Sequence, residues 1–199
     1  MKKIVILDLH GVVFYPIDRM VIQSSLMKYN LAKSAALFMC YKTGLGKKFI
    51  EQNLSDVVYD SARDALPIPG AFSAIQKIAN IPNTQLNVCS RSAFPARVSD
   101  MENHYRTQWR TMDLVAHYEL ISPLQSKRAY LSNVNAANVN SDIYVVDNQL
   151  ENLVIAHDLR MNPVLISDKA SLWRRAKDEL GARTFMTLQE FANYLERRK

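Results

Sequence analysis

The sequence predicts a layered α/β fold in which helices cover both faces of a mostly parallel sheet. Two observations predict it. Short, β-branched apolar runs recur along the chain and each ends abruptly at a polar residue, and from about residue 66 onward these runs alternate with segments of helical periodicity. A run with no polar alternation is what a strand buried on both faces requires, because both sets of its side chains meet helices.

The first run, Ile4-Val5-Ile6-Leu7, stops at Asp8. Residues 16–65 then contain no strand-like run. Val21, Ile22, Leu26 and Tyr29 form one helical stripe, and Ala35 to Phe38 and Phe49 to Val58 suggest others. Gly44-Leu45-Gly46 interrupts this segment and Pro67-Ile68-Pro69-Gly70 ends it, so it reads as a small helical insertion after the first strand. A helix over Ala71 to Ala79 follows, with Phe72, Ile75 and Ile78 on its apolar face.

Leu86-Asn87-Val88-Cys89 is the next strand, ending at Ser90, and Tyr118 to Ile121 ends at Ser122. Ile143-Tyr144-Val145-Val146 ends at Asp147, a helix spans Leu150 to Leu159, and Pro163-Val164-Leu165-Ile166 ends at Ser167. The expected architecture is a three-layer, Rossmann-like parallel sheet built from residues 1–15 and 66–199, with the helical insertion over 16–65. Ligands bind such sheets beyond the carboxyl ends of the strands, where strand order reverses. Asp8, Ser90 and Asp147 are expected at that edge.

Composition narrows the function classes. With 48% hydrophobic and 22% charged residues in a chain of 199, a folded core is expected and a disordered chain is excluded. The formal charge of +6 suits an anionic ligand, but the basic residues are scattered apart from Arg197-Arg198-Lys199, so nucleic acid is not the expected partner. Cys40 and Cys89 lack CxxC spacing and an accompanying His cluster; they read as buried, reduced thiols, which places the protein in the cytoplasm. Asp8 interrupts the first apolar run before it could act as a signal-peptide core, and no stretch approaches the roughly 20 apolar residues of a membrane span. Oligomeric state leaves no sequence signal.

The run Ile6-Leu7-Asp8-Leu9-His10-Gly11-Val12-Val13-Phe14 resembles the first motif of the haloacid dehalogenase-like hydrolases, a strand followed by Asp-x-Asp-Gly-(Thr/Val). Ser90 resembles the second motif and Lys127 the third. Asp147-Asn148, with Glu151 and Asn152 beyond, resembles the fourth, and Pro69-Gly70 is also typical of the family. The resemblance spans nearly the whole chain, and the order of the motifs around Asp8 and Asp147 carries its specificity. The insertion is similar to the family's C1-type cap, with Tyr29, Lys33, Lys42 and Lys47 as candidates to face a small substrate.

This resemblance implies a magnesium-dependent phosphatase. Asp8 is the implied nucleophile, forming an aspartyl-phosphate that water hydrolyses. Asp8, Asp147, Asn148 and position 10, through its main-chain carbonyl, are the implied metal set, because magnesium is a hard cation that takes oxygen. Lys127, Ser90 and Arg91 are the implied contacts to a small phosphorylated substrate, since a transferring phosphoryl group needs fixed donors. For Lys127 the plainer alternative is a solvated helix lysine; for Ser90 it is a helix N-cap. Asn152 is expected to tie down the loop after Asp147, and Glu151 to assist the metal or hydrogen-bond Lys127.

Two positions depart from the family. His10 stands where its phosphatases have an Asp acting as general acid and base; imidazole titrates near neutral pH and could carry that proton. Asn148 replaces a second acid, keeping an oxygen but losing a charge. Three readings follow: the phosphatase, a catalytically degenerate member that binds a phosphorylated ligand or a protein, and a dehalogenase-type hydrolase in which Asp8 attacks carbon without a metal.

Overall fold

In the computed structural model, which describes residues 1–16, 35, 39, 47–122 and 124–198, the apolar runs pair into one six-stranded sheet. The strands are β1 (Lys2–Leu7), β2 (Thr84–Ser90), β3 (His117–Leu120), β4 (Ser141–Asp147), β5 (Asn162–Ile166) and β6 (Arg183–Phe185). All pairings are parallel and the order is β3-β2-β1-β4-β5-β6. β1 lies between β2 and β4, with Leu7 in register with Val88 on one side and Val146 on the other. The chain steps outward from β1 to β3 and returns across β1 to β4, which opens a crevice at the carboxyl edge.

Side-chain alternation explains why β1 is apolar throughout. Val5 and Leu7 join a buried cluster with Leu86, Val88, Tyr144 and Val146, while Ile4 and Ile6 join a second with Ile143 and Val145. Seven helices among the described residues supply much of the remaining core: α1 (Lys47–Arg63), α2 (Ala71–Ala79), α3 (Val98–Gln108), α4 (Arg128–Ala137), α5 (Leu150–Asp158), α6 (Ala170–Leu180) and α7 (Leu188–Glu196). Ala74, Ile75 and Ile78 of α2, Tyr105 of α3 and Phe191 and Leu195 of α7 pack into the first cluster. Leu131 of α4 and Ala156 of α5 pack into the second, and Leu153 meets Ala176 and Leu180 of α6 around Leu165. Each large aliphatic side chain buried in this way contributes about 1.5–3 kcal/mol, enough to fix the three layers.

One strand has no counterpart among the apolar runs. β6 is three residues long, half-buried, and pairs only with β5, so as an edge strand it needs no apolar run.

Most of the expected insertion, 16–65, lies outside the described residues, as do Tyr29, Lys33, Lys42, Cys40 and the side chain of Lys47. In its described part, Val57, Val58 and Ala62 of α1 pack in the same cluster as Leu9 and Phe14. The two ends of the segment lie side by side: Tyr15 N–H donates to the Leu66 carbonyl at 2.9 Å and Ile68 N–H to the Val13 carbonyl at 2.8 Å. Among the described residues no helix is long and apolar enough to cross a membrane.

Candidate active site

Because β1, β2 and β4 are adjacent and parallel, the polar residues that end them arrive at one edge. Asp8 follows β1, while Ser90 and Asp147 are the last residues of β2 and β4. Lys127 enters from the turn that opens α4. Its Nζ donates to Asp8 Oδ1 at 2.8 Å and to Asp147 Oδ2 at 2.7 Å. The three side chains are 2%, 9% and 1% exposed, so the cation and both carboxylates interact with little solvent screening.

Asp147 is the more constrained acid. Its Oδ2 also accepts from Asn152 Nδ2 at 2.9 Å, and its Oδ1 accepts the Gln149 N–H at 2.9 Å. Burial pushes its carboxyl above the usual carboxylate range, against the pull of Lys127. Burial alone would strip the charge from Lys127, but Asp147 and Asp8 outweigh it and hold the ammonium above the ordinary lysine value. One cation between two carboxylates leaves the group with a net negative charge.

These contacts choose among the alternatives that the sequence leaves open. Lys127 is not a solvated helix lysine; the exposed neighbour is Arg128, paired with Asp158 at 2.7 Å. Ser90 is not a helix N-cap, because the next α-helix begins only at Val98. Its Oγ instead accepts the Leu9 N–H at 3.4 Å, holding the turn after Asp8 and leaving its hydroxyl proton to donate. Glu151 does not bond Lys127; its carboxylate accepts from Arg91 Nη2, which also donates to Gln149 Oε1.

The turn after Asp8 folds back on the Leu9 carbonyl, which accepts from Val12, Val13 and Phe14 N–H at 3.3, 2.8 and 2.9 Å. Gly11 makes this possible with φ of +96°, and a Cβ there would fall 2.0 Å from Asn148 Nδ2. Gly11→Ala is therefore expected to cost about 3 kcal/mol or more, combining left-handed strain with overpacking. Urea unfolding would measure it, and an unchanged midpoint would show that the turn does not press on Asn148 as described.

His10 leaves this turn with Nε2 3.1 Å from the Tyr105 hydroxyl. Tyr105, on α3, is fully buried, and burial raises its pKa so that the phenol keeps its proton. The direction of the bond follows the imidazole tautomer. Sequence reasoning missed Tyr105, since an aromatic on a core helix 95 residues away carries no motif. Cys89, one residue before Ser90, is buried and free, and burial pushes its thiol up to about 12, so it stays protonated.

The residues fit a magnesium ion in their donor chemistry. Asn148 Oδ1 is a buried oxygen with no hydrogen-bond partner among the described residues, and it neighbours the turn that carries Asp8. The described residues contain no group of three or more His, Cys, Asp or Glu side chains placed to hold a metal. The His10 Nε2 faces Tyr105, so position 10 could serve a metal through its main-chain carbonyl. Asp147 Oδ2 accepts from Lys127 and Asn152, while its Oδ1 accepts one N–H and keeps a lone pair with which it can ligate a metal.

A buried carboxylate–ammonium–carboxylate group at the carboxyl edge of a doubly wound parallel sheet defines an α/β protein with its site at the strand ends. The fold is the haloacid dehalogenase-like fold. No protein-family model and no curated protein matches the chain. Solved structures do. L-2-haloacid dehalogenase from Xanthobacter autotrophicus is similar with a TM-score of 0.63 and 10% identity over 98% of each chain. D,D-heptose 1.7-bisphosphate phosphatase from B. bronchiseptica, complexed with magnesium and phosphate, gives 0.63 and 14% over 100% of each chain. A hydrolase of the haloacid dehalogenase-like family from Streptococcus pneumoniae gives 0.63 and 12% over 98% of each. At these identities the likeness establishes the fold.

Proposed function

We propose that the protein is a hydrolase that uses the Asp8 carboxylate as its nucleophile, with small phosphate monoesters as substrates and magnesium as cofactor. The observation that supports this reading most is the Lys127 ammonium shared by Asp8 and Asp147. It fixes one Asp8 oxygen and, with Asp147 holding the lysine in place, sets a cation beside the point where a phosphoryl group would arrive. Asp8, Asp147, Asn148 and the His10 carbonyl would hold magnesium, which supplies charge neutralisation to phosphate oxygens. Ser90 would donate its hydroxyl, and His10, braced by Tyr105, would exchange the proton of the leaving group and of water. The fold's phosphatase relative with bound magnesium and phosphate is consistent with this assignment. The segment 16–65 would then act as the cap.

A second reading has its own support. Lys127 pairs directly with Asp8 and orients one carboxylate oxygen, which suits displacement at carbon by the other. A panel of phosphate esters assayed with and without magnesium, beside halide release from short haloacids without metal, separates the two. Magnesium-dependent phosphate release supports the first reading; halide release alone replaces it with the second. If neither occurs, His10→Asp tests the degenerate reading, and a gain of phosphatase activity there would mean that His10 marks a site without its acid.

A further inference from the structure

Arg91 follows Ser90 out of β2, while Gln149 and Glu151 follow Asp147 out of β4. β1 lies between these strands, so the hydrogen bonds from Arg91 Nη2 to Gln149 Oε1 and Glu151 Oε1 link two segments across the end of the strand that leads to Asp8. We propose that Arg91 anchors a carboxylate of the substrate, and that the Glu151 carboxylate occupies that position in the free protein. The assignment rests on the phosphate-ester reading above and names its substrate class, phosphate esters of carboxylic acids.

Three observations carry it. The Arg91 side chain is only 24% exposed whereas that of Glu151 is 64% exposed, so the cation is held in place while the anion can return to water at little cost. Arg91 serves both acceptors with one nitrogen; among the described residues Nε and Nη1 make no hydrogen bond, which leaves one edge of the planar fork for a two-point contact with a carboxylate. Finally, the group that Arg91 now holds is itself a carboxylate, so the guanidinium is already arranged as the cation that receives one. Displacing Glu151 supplies that cation at the rim without disturbing Lys127.

The test compares binding of methylphosphonate and phosphonoacetate, which share a non-hydrolysable phosphonate and differ in one carboxylate, by calorimetry with magnesium present. Wild type is expected to bind phosphonoacetate about tenfold more tightly or better, as a charge-assisted hydrogen bond allows. Arg91→Met should bring the two ligands close to parity. Glu151→Gln, which removes the competing charge and keeps a hydrogen-bond acceptor, should tighten phosphonoacetate about two- to fivefold, the range of an exposed ion pair. A preference retained in Arg91→Met, or phosphonoacetate weakened by Glu151→Gln, would make the link a structural clamp and overturn the assignment. Methylphosphonate binding without a carboxylate preference overturns it while leaving the phosphate reading intact; failure of both ligands to bind overturns both.

Discussion

Asp8→Asn is expected to lower turnover by about three orders of magnitude or more while leaving the fold intact. The substitution is nearly isosteric. Asn keeps an Oδ1 that can accept from Lys127 Nζ, and the buried group changes from two carboxylates around one ammonium to a single neutral pair with Asp147. Stability should therefore hold or rise slightly, so lost activity cannot be blamed on unfolding. An amide oxygen is a far weaker nucleophile than a carboxylate, and the covalent step is what fails. The direct measurement is trapping of the aspartyl-phosphate: wild type quenched during turnover and reduced with borohydride should carry homoserine in place of Asp8 in the peptide that contains it. An unreduced Asp8 in the quenched wild type, or turnover that survives in Asp8→Asn, would remove Asp8 from the reaction.

What the sequence made legible follows from burial. The central strands must be apolar on both faces, so their runs stand out, and the polar residue that ends each run marks the crevice; Asp8 and Asp147 could be placed before any coordinates. β6 escaped because an edge strand of three half-buried residues has no such constraint. Lys127 was identified by resemblance, but only packing shows that its charge is buried between two acids. The partners of Glu151 and His10 were not readable for a simpler reason. The Arg91–Glu151 and His10–Tyr105 pairs are separated by 60 and 95 residues, and nothing in local spacing reports contacts created by strand order and helix packing.

Lys127→Met should both silence the site and destabilise the protein, and the second effect has a pH signature. Methionine fills the space of the alkyl stem but leaves two buried carboxylates facing each other without a cation. Breaking a buried ion pair from one side costs about 3–5 kcal/mol. In the variant, burial and mutual repulsion raise the carboxyl pKa above its unfolded value, a tendency that burial already shows at Asp147 in wild type. The native variant then holds a proton that the unfolded chain does not, so its stability rises as pH falls. In wild type the lysine's folded pKa is raised, so its stabilisation is fully present below the ordinary lysine value and is lost only as pH climbs through the raised one. Lys127 thus contributes no slope of its own between pH 5 and 8. The gap between the two proteins should accordingly be widest near pH 8 and narrow toward pH 5, as read from urea midpoints at both pH values. An equal deficit at both would mean that Lys127 contributes packing rather than charge, and the ammonium could then no longer be assigned to the reacting anion.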